Sequence, residues 1–152
     1  MTGRAVTGIL YFVNQTPIEW FSKKQSTVET ATYAAEFIAA RTAVDQIVDL
    51  RTTLRYLGVP LRETSYLFGD NKTVVESSDR PHAKLHKRHT ALSFHRVREA
   101  IAARYISFHH IDDSDNPADI LSKHWGYQQV WRVLKPLMFY SGETLDLYYE
   151  DN

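Results

Sequence analysis

Three acidic residues sit where a purely structural role is strained. Glu36 shares a helical row with Ala40, Ala43, Ile47, Leu50 and Leu54, so it points with an apolar stripe. An ionised carboxylate there is costly unless it is paired or bound to a cation; the alternative is a Glu at the edge of the stripe, near the helix start, where the dipole favours an acid. Asp70 closes the short run Tyr66-Leu67-Phe68-Gly69. Strand ends of that kind hold ligands in α/β sheets, although Asp70 could instead cap the following helix. Asp119 falls in Asn116-Pro117-Ala118-Asp119-Ile120-Leu121, in the first turn of a helix, where an acid also complements the dipole. Taken together, carboxylates from a helix, a strand end and a later helix start form the donor set of an oxygen-ligand metal site. Mg²⁺ or Mn²⁺ prefers such donors. Two ions about 3.5–4 Å apart would activate water and stabilise the leaving oxygen in phosphodiester hydrolysis.

The cationic residues are also unevenly placed. The formal net charge is zero, with 18 Lys and Arg against 18 Asp and Glu. Yet Arg80, Lys84, Lys87, Arg88, Arg96, Arg98 and Arg104 lie in one stretch with Glu99 as its only acid, whereas Glu143, Asp146, Glu150 and Asp151 carry all the charge of the C-terminal tail. A basic middle of this kind is an anion-binding face or a solvated helix. Read as the former, Lys84, Lys87, Arg88, His89 and Arg96 contact a nucleic-acid backbone without reading its sequence, and Lys123 approaches phosphate. His82, His86, His89 and His95 lie in or beside the block, but no third ligand type is indicated and no zinc is expected. Trp20, Trp125 and Trp131 are expected in the core rather than as stacking platforms.

These groups need a scaffold, and the composition allows one. The 152 residues are 43% hydrophobic and 24% charged, a globular balance that suits a single core. The absence of Cys excludes disulfides, thiolate metal sites and a Cys nucleophile. The apolar run Ile9-Leu10-Tyr11-Phe12-Val13 is too short to span a bilayer, so the expectation is an intracellular, cytoplasmic protein. Two β-rich runs, residues 6–13 and 18–22, flank Asn14-Gln15-Thr16-Pro17 and read as a hairpin. Ser26-x-x-Glu29 is a possible capping box, followed by helical spacing of Tyr33, Phe37, Ala40, Val44, Ile47, Val48 and Leu54 until Gly58 and Pro60. A buried strand at 65–68 feeds a short helix to about residue 77. Thr90 could cap a helix with Phe94, Val97 and Ile101 inward. A strand at 105–111 precedes a helix that Asn116-Pro117 would open and that would run through about Lys123. The order predicts an α/β fold with a mixed sheet over residues 1–140, followed by an acidic tail at 141–152.

In order and spacing these segments resemble the ribonuclease H domain of copia-type LTR-retrotransposon Pol polyproteins, over roughly residues 4–137. The resemblance is carried by Arg4-Ala5-Val6-Thr7-Gly8, the stretch from Ile18 to Thr27, Ala35-Glu36-Phe37-Ile38-Ala39, Leu57-Gly58-Val59-Pro60, Gly69-Asp70-Asn71, the block from His89 to Glu99, and Asn116-Pro117-Ala118-Asp119-Ile120-Leu121-Ser122-Lys123. It implies a ribonuclease H-like fold and cleavage of the RNA strand of RNA–DNA hybrids at an Asp-Glu-Asp-Asp site holding two Mg²⁺. It also implies a reverse transcriptase domain of the same polyprotein as partner. By motif, Glu36, Asp70 and Asp119 take three of the four site positions; Glu29 lies two turns too early for the helix position. The first Asp of the family lies on a central strand upstream of the segment matched by Arg4-Ala5-Val6-Thr7. The chain begins three residues before that match, so the expectation is that this Asp and this strand are missing. Ala91 also departs from the family, whose members often carry Asp there. The alternatives to a nuclease are a non-catalytic nucleic-acid-binding remnant and an inactive fragment.

Overall fold

A computed structural model describes residues 4–26, 32–80 and 90–138. The chain divides into two units, one of Met1–Ala5 and Gln25–Asn116, the other of Val6–Lys24 and Pro117–Asn152. Among the described residues no helix is long and apolar enough to cross a membrane.

In the first unit the long amphipathic pattern forms α1, Thr32–Tyr56. Its buried row, Phe37, Ala40, Val44, Ile47 and Arg51, repeats at the helical period. Gly58, at φ 80°, ends the pattern as a left-handed residue after the helix. Next come β3, Ser65–Gly69, α2, Lys72–Asp79, α3, Ala91–Ala102, and β4, Ile106–His110. The strands pair in parallel, Ser65 beside Ile106 and Gly69 beside His110, which a crossover of this length permits. Leu67 and Ile106 face inward, while Tyr66 and Phe68 stand exposed with the His109 ring within 6 Å of both.

The core of this unit lies where α1 meets α3. The Phe37 ring stands edge-on to Tyr33 at 4.9 Å and to Phe94 at 5.5 Å, with Val44, Val74 and Val97 sealed around them. Arg96 on α3 donates through Nε to Asp45 on α1 at 2.8 Å. That hydrogen bond is the main reason its guanidinium is held above the ordinary arginine range.

In the second unit, β1, Val6–Val13, and β2, Thr16–Lys24, form the expected antiparallel hairpin, turned at Asn14 in the left-handed region. Strand β2 runs two residues further at each end than the sequence suggests, and a bulge between Tyr11 and Phe12 accommodates Pro17. Thr7, Ile9 and Tyr11 are buried at period two. Burial, and then the charge of Glu19 opposite, hold the Tyr11 hydroxyl far above the usual phenol range, so it stays neutral. Trp20 is 72% exposed, a correction to its expected place in the core, because β2 shows little buried surface along its length. Helix α4, Asp119–Ser122, lies against β1 and β2, and α5, Tyr127–Met138, contacts β2.

Gly8 is the contact that lets α4 approach. A Cβ at Gly8 would stand 2.8 Å from the Ala118 carbonyl oxygen and 2.9 Å from the Leu121 Cβ. Because a backbone carbonyl cannot swing aside, Gly8→Ala is expected to destabilise the protein by about 1–3 kcal/mol in urea denaturation; an unchanged midpoint would contradict this packing.

These elements make the α/β architecture of ribonuclease H-like folds. The described strands form two two-stranded ladders, one antiparallel and one parallel, rather than one continuous mixed sheet.

Candidate functional site

Asp70 follows directly on Gly69 at the carboxyl end of β3. The bland reading of Asp70 as the cap of α2 does not hold. Asn71 is the N-cap, and its side chain accepts from the Val74 amide at 3.2 Å. The Asp70 carboxylate is left to accept a long contact of 3.5 Å from Asn116 Nδ2. The backbone around it is fixed by the Ile111 amide donating to the Gly69 carbonyl at 3.0 Å, and His110 Nε2 lies 3.1 Å from the Asp70 carbonyl.

Because β3 and β4 are parallel, both release their carboxyl ends at one edge. After β4 the chain makes a 3₁₀ turn, Asp113–Asp115, and a carboxylate oxygen of the exposed Asp113 comes within 4.8 Å of one on Asp70. Asp113 was not singled out from the sequence. It sits in the acidic run Asp112-Asp113-Ser114-Asp115, which reads as a solvated loop, and only the parallel pairing of β3 with β4 brings it beside Asp70. The pair suits a hard divalent cation. Both donors are carboxylate oxygens, the ligand type that a small hard cation prefers.

Glu36 lies half-buried on α1 between the buried Ala35 and Phe37. Among the described residues of this unit, no third carboxylate or imidazole, Glu36 included, joins the Asp70–Asp113 pair within 4.8 Å. Asp119 belongs to the second unit. It opens α4, is only 5% exposed, and accepts from Lys123 Nζ at 2.5 Å, while its carbonyl accepts from the Trp125 indole at 3.1 Å. A buried carboxylate needs such a cation beside it. The expected capping of α4 by Asn116 is corrected: Ala118 is the N-cap, a residue with no side-chain capping bond. Thr90 likewise occupies the N-cap of α3 without a side-chain capping bond.

Of the expected phosphate contacts, Lys84, Lys87, Arg88 and His89 lie outside the described residues, as do His82 and His86. Arg96 is engaged by two acids, Asp45 at 2.8 Å and Glu99 at 3.2 Å, which ties α3 to α1. Lys123 faces Asp119.

No family model matches the chain. It is 28% identical over 120 residues to the retrovirus-related Pol polyprotein from transposon TNT 1-94 of Nicotiana tabacum, a match that covers 79% of this chain and 9% of that protein. Over 119 residues it is 24% identical to the corresponding Pol polyproteins from transposons RE2 and RE1 of Arabidopsis thaliana, covering 78% of this chain and 8% of each. The chain is thus homologous to a region of retrovirus-related Pol polyproteins from plant transposons and spans less than a tenth of their length.

Proposed function

We propose that this chain is the ribonuclease H region of a retrotransposon Pol polyprotein, hydrolysing the RNA strand of RNA–DNA hybrids with Mg²⁺ or Mn²⁺. The observation that carries this reading is the Asp70–Asp113 carboxylate pair at the carboxyl edge of the parallel strands, with Asn71 relieving Asp70 of the capping role. The relatives' description as Pol polyproteins supports it. Glu36, Asp70 and Asp119 are the proposed ligands and catalytic residues. The site implied by the family resemblance has a fourth carboxylate, an Asp, beside these three. Two divalent ions, when bound, supply Lewis-acid activation of water and stabilisation of the leaving oxygen. The protein's part is to hold hard oxygen donors in place and to bind the backbone electrostatically through Lys84, Lys87, Arg88, His89, Arg96 and Lys123. A reverse transcriptase domain of the same polyprotein is the proposed partner, and the proposed setting is the cytoplasm, in particles or in passage to the nucleus.

The test is cleavage of end-labelled RNA–DNA hybrid by the chain joined to its preceding polyprotein segment. We expect Mg²⁺-dependent cutting of the RNA strand alone, abolished by chelation, with DNA duplex untouched. Salt-dependent hybrid binding without cutting in either divalent metal would select the binding remnant instead.

A further inference from the structure

The opposite edge of the parallel pair concentrates charge of the other sign. A cavity of about 620 Å³ is lined by Arg51, Arg55, Arg62 and Arg104 with a single acid, Glu63, and by the Tyr105 ring. It lies at the Ser65 and Ile106 ends of β3 and β4, roughly 15 Å along five-residue strands from Asp70.

Arg51 is the key to it. The residue is 8% exposed and continues the buried row of α1. Its Nη1 donates to the Glu63 carbonyl at 2.9 Å and to the Ser65 hydroxyl at 2.8 Å, both neutral, and its buried Nε has no hydrogen-bond partner. Among the described residues, no carboxylate lies within 4.0 Å of any of the four guanidinium groups. A buried cation with an idle donor and no counter-ion is the condition an anion relieves. Arg55, in the last turn of α1, complements the helix dipole, but that role leaves Arg51 and Arg104 unexplained.

Arg104 adds an independent sign. It closes α3 with φ 57°, its amide bonding to the Ile101 carbonyl at 3.0 Å and the Tyr105 amide to the Ala100 carbonyl at 2.9 Å. This is the helix-ending geometry that glycine fills most easily. An arginine there, on the cavity wall, stands against the backbone's preference for glycine.

We propose that this cavity binds the phosphate group of a nucleotide or of a polynucleotide strand. Guanidinium forks match phosphate oxygens two at a time, and several forks around one concavity suit a di- or triphosphate better than a single carboxylate. The volume is that of a small-molecule pocket. The proposal stands apart from hybrid cleavage, because it uses neither the acidic edge nor any of the residues Lys84, Lys87, Arg88, His89, Arg96 and Lys123 proposed to bind the hybrid.

Inorganic tripolyphosphate is the probe, titrated calorimetrically into the full chain at low ionic strength, with thermal melts alongside. Saturable binding and a raised Tm are expected. Arg62→Ala should weaken binding about tenfold, the loss of one charge-assisted contact. Arg104→Gly should weaken it comparably while leaving the ligand-free Tm unchanged or higher, which separates lost binding from lost folding. Arg51 also anchors the segment from Glu63 to Ser65, so its substitution confounds the two. Absence of saturable binding at millimolar tripolyphosphate, or equal affinity in the parent chain and both variants, overturns the proposal. A 5′-phosphorylated single-stranded oligonucleotide displaced by tripolyphosphate and weakened by the same variants identifies a strand as the source; an oligonucleotide indifferent to both variants identifies a free phosphate compound.

Discussion

Asp70→Asn is expected to lower Mg²⁺-dependent cleavage of the hybrid's RNA strand by on the order of 100-fold or more, while leaving folding nearly unchanged. The amide is isosteric but is a poorer ligand for a hard cation and carries no charge to offset it. Structure should survive because Asp70 has no structural work to lose. The cap of α2 is Asn71, and among the described residues the one hydrogen bond to the Asp70 carboxylate is the 3.5 Å approach of Asn116. A stability change under about 0.5 kcal/mol is expected on those grounds. Asp113→Asn should cost less, about tenfold, since Asp113 is exposed and stands beside Asp70 rather than on the strand end itself. Initial rates on a labelled hybrid, read beside urea denaturation of each variant, separate these outcomes. Equal rates for the parent chain and Asp70→Asn would remove Asp70 from the chemistry.

The largest effect on stability is expected from Phe94→Ala, about 3–5 kcal/mol. Phe94 is 2% exposed, meets Phe37 edge-on, and carries the Arg98 guanidinium 5.1 Å above its ring centre. Its removal leaves a cavity at the joint of α1 and α3, bordered by Val97 and the fixed ring of Phe37, with little freedom to collapse. Against the roughly 5–15 kcal/mol of a typical domain this is a large fraction. Urea denaturation should show a lower midpoint at an unchanged slope. A loss below about 1 kcal/mol would mean that the helices do not share this core.

Most of the scaffold was legible in the sequence because its signals are local. The β-rich runs on either side of Asn14 to Pro17, the helical row of α1, and the stop at Gly58 each depend on neighbours within a few residues. The element missed was α5, since Pro136 inside Tyr127–Met138 argues against a helix and the chain tolerates it one turn from the end. Capping was the less legible part: the alternative of Asp70 as the α2 cap stayed open, and the cap expected at Asn116 falls two residues later, at Ala118. Asn71 rather than Asp70 took the α2 cap, and Asn116 turned to Asp70 instead of to α4. Asp113 was illegible for a different reason. Its partner lies 43 positions earlier, and no local pattern reports a parallel pairing. Arg51 carried a signal that could have been used, because it falls on the same row as Phe37, Ala40, Val44 and Ile47, and a guanidinium on a buried row asks for a ligand.

The proposed metal roles of Glu36, Asp70 and Asp119 are tested together by Mn²⁺ paramagnetic broadening. In spectra of the ¹⁵N-labelled chain joined to its preceding segment, a substoichiometric addition of Mn²⁺ should broaden the amide signals of all three residues together, and excess Mg²⁺ should restore them. Broadening confined to the acidic residues beyond Gly142, or reaching Asp70 while Glu36 and Asp119 stay sharp, would contradict the account.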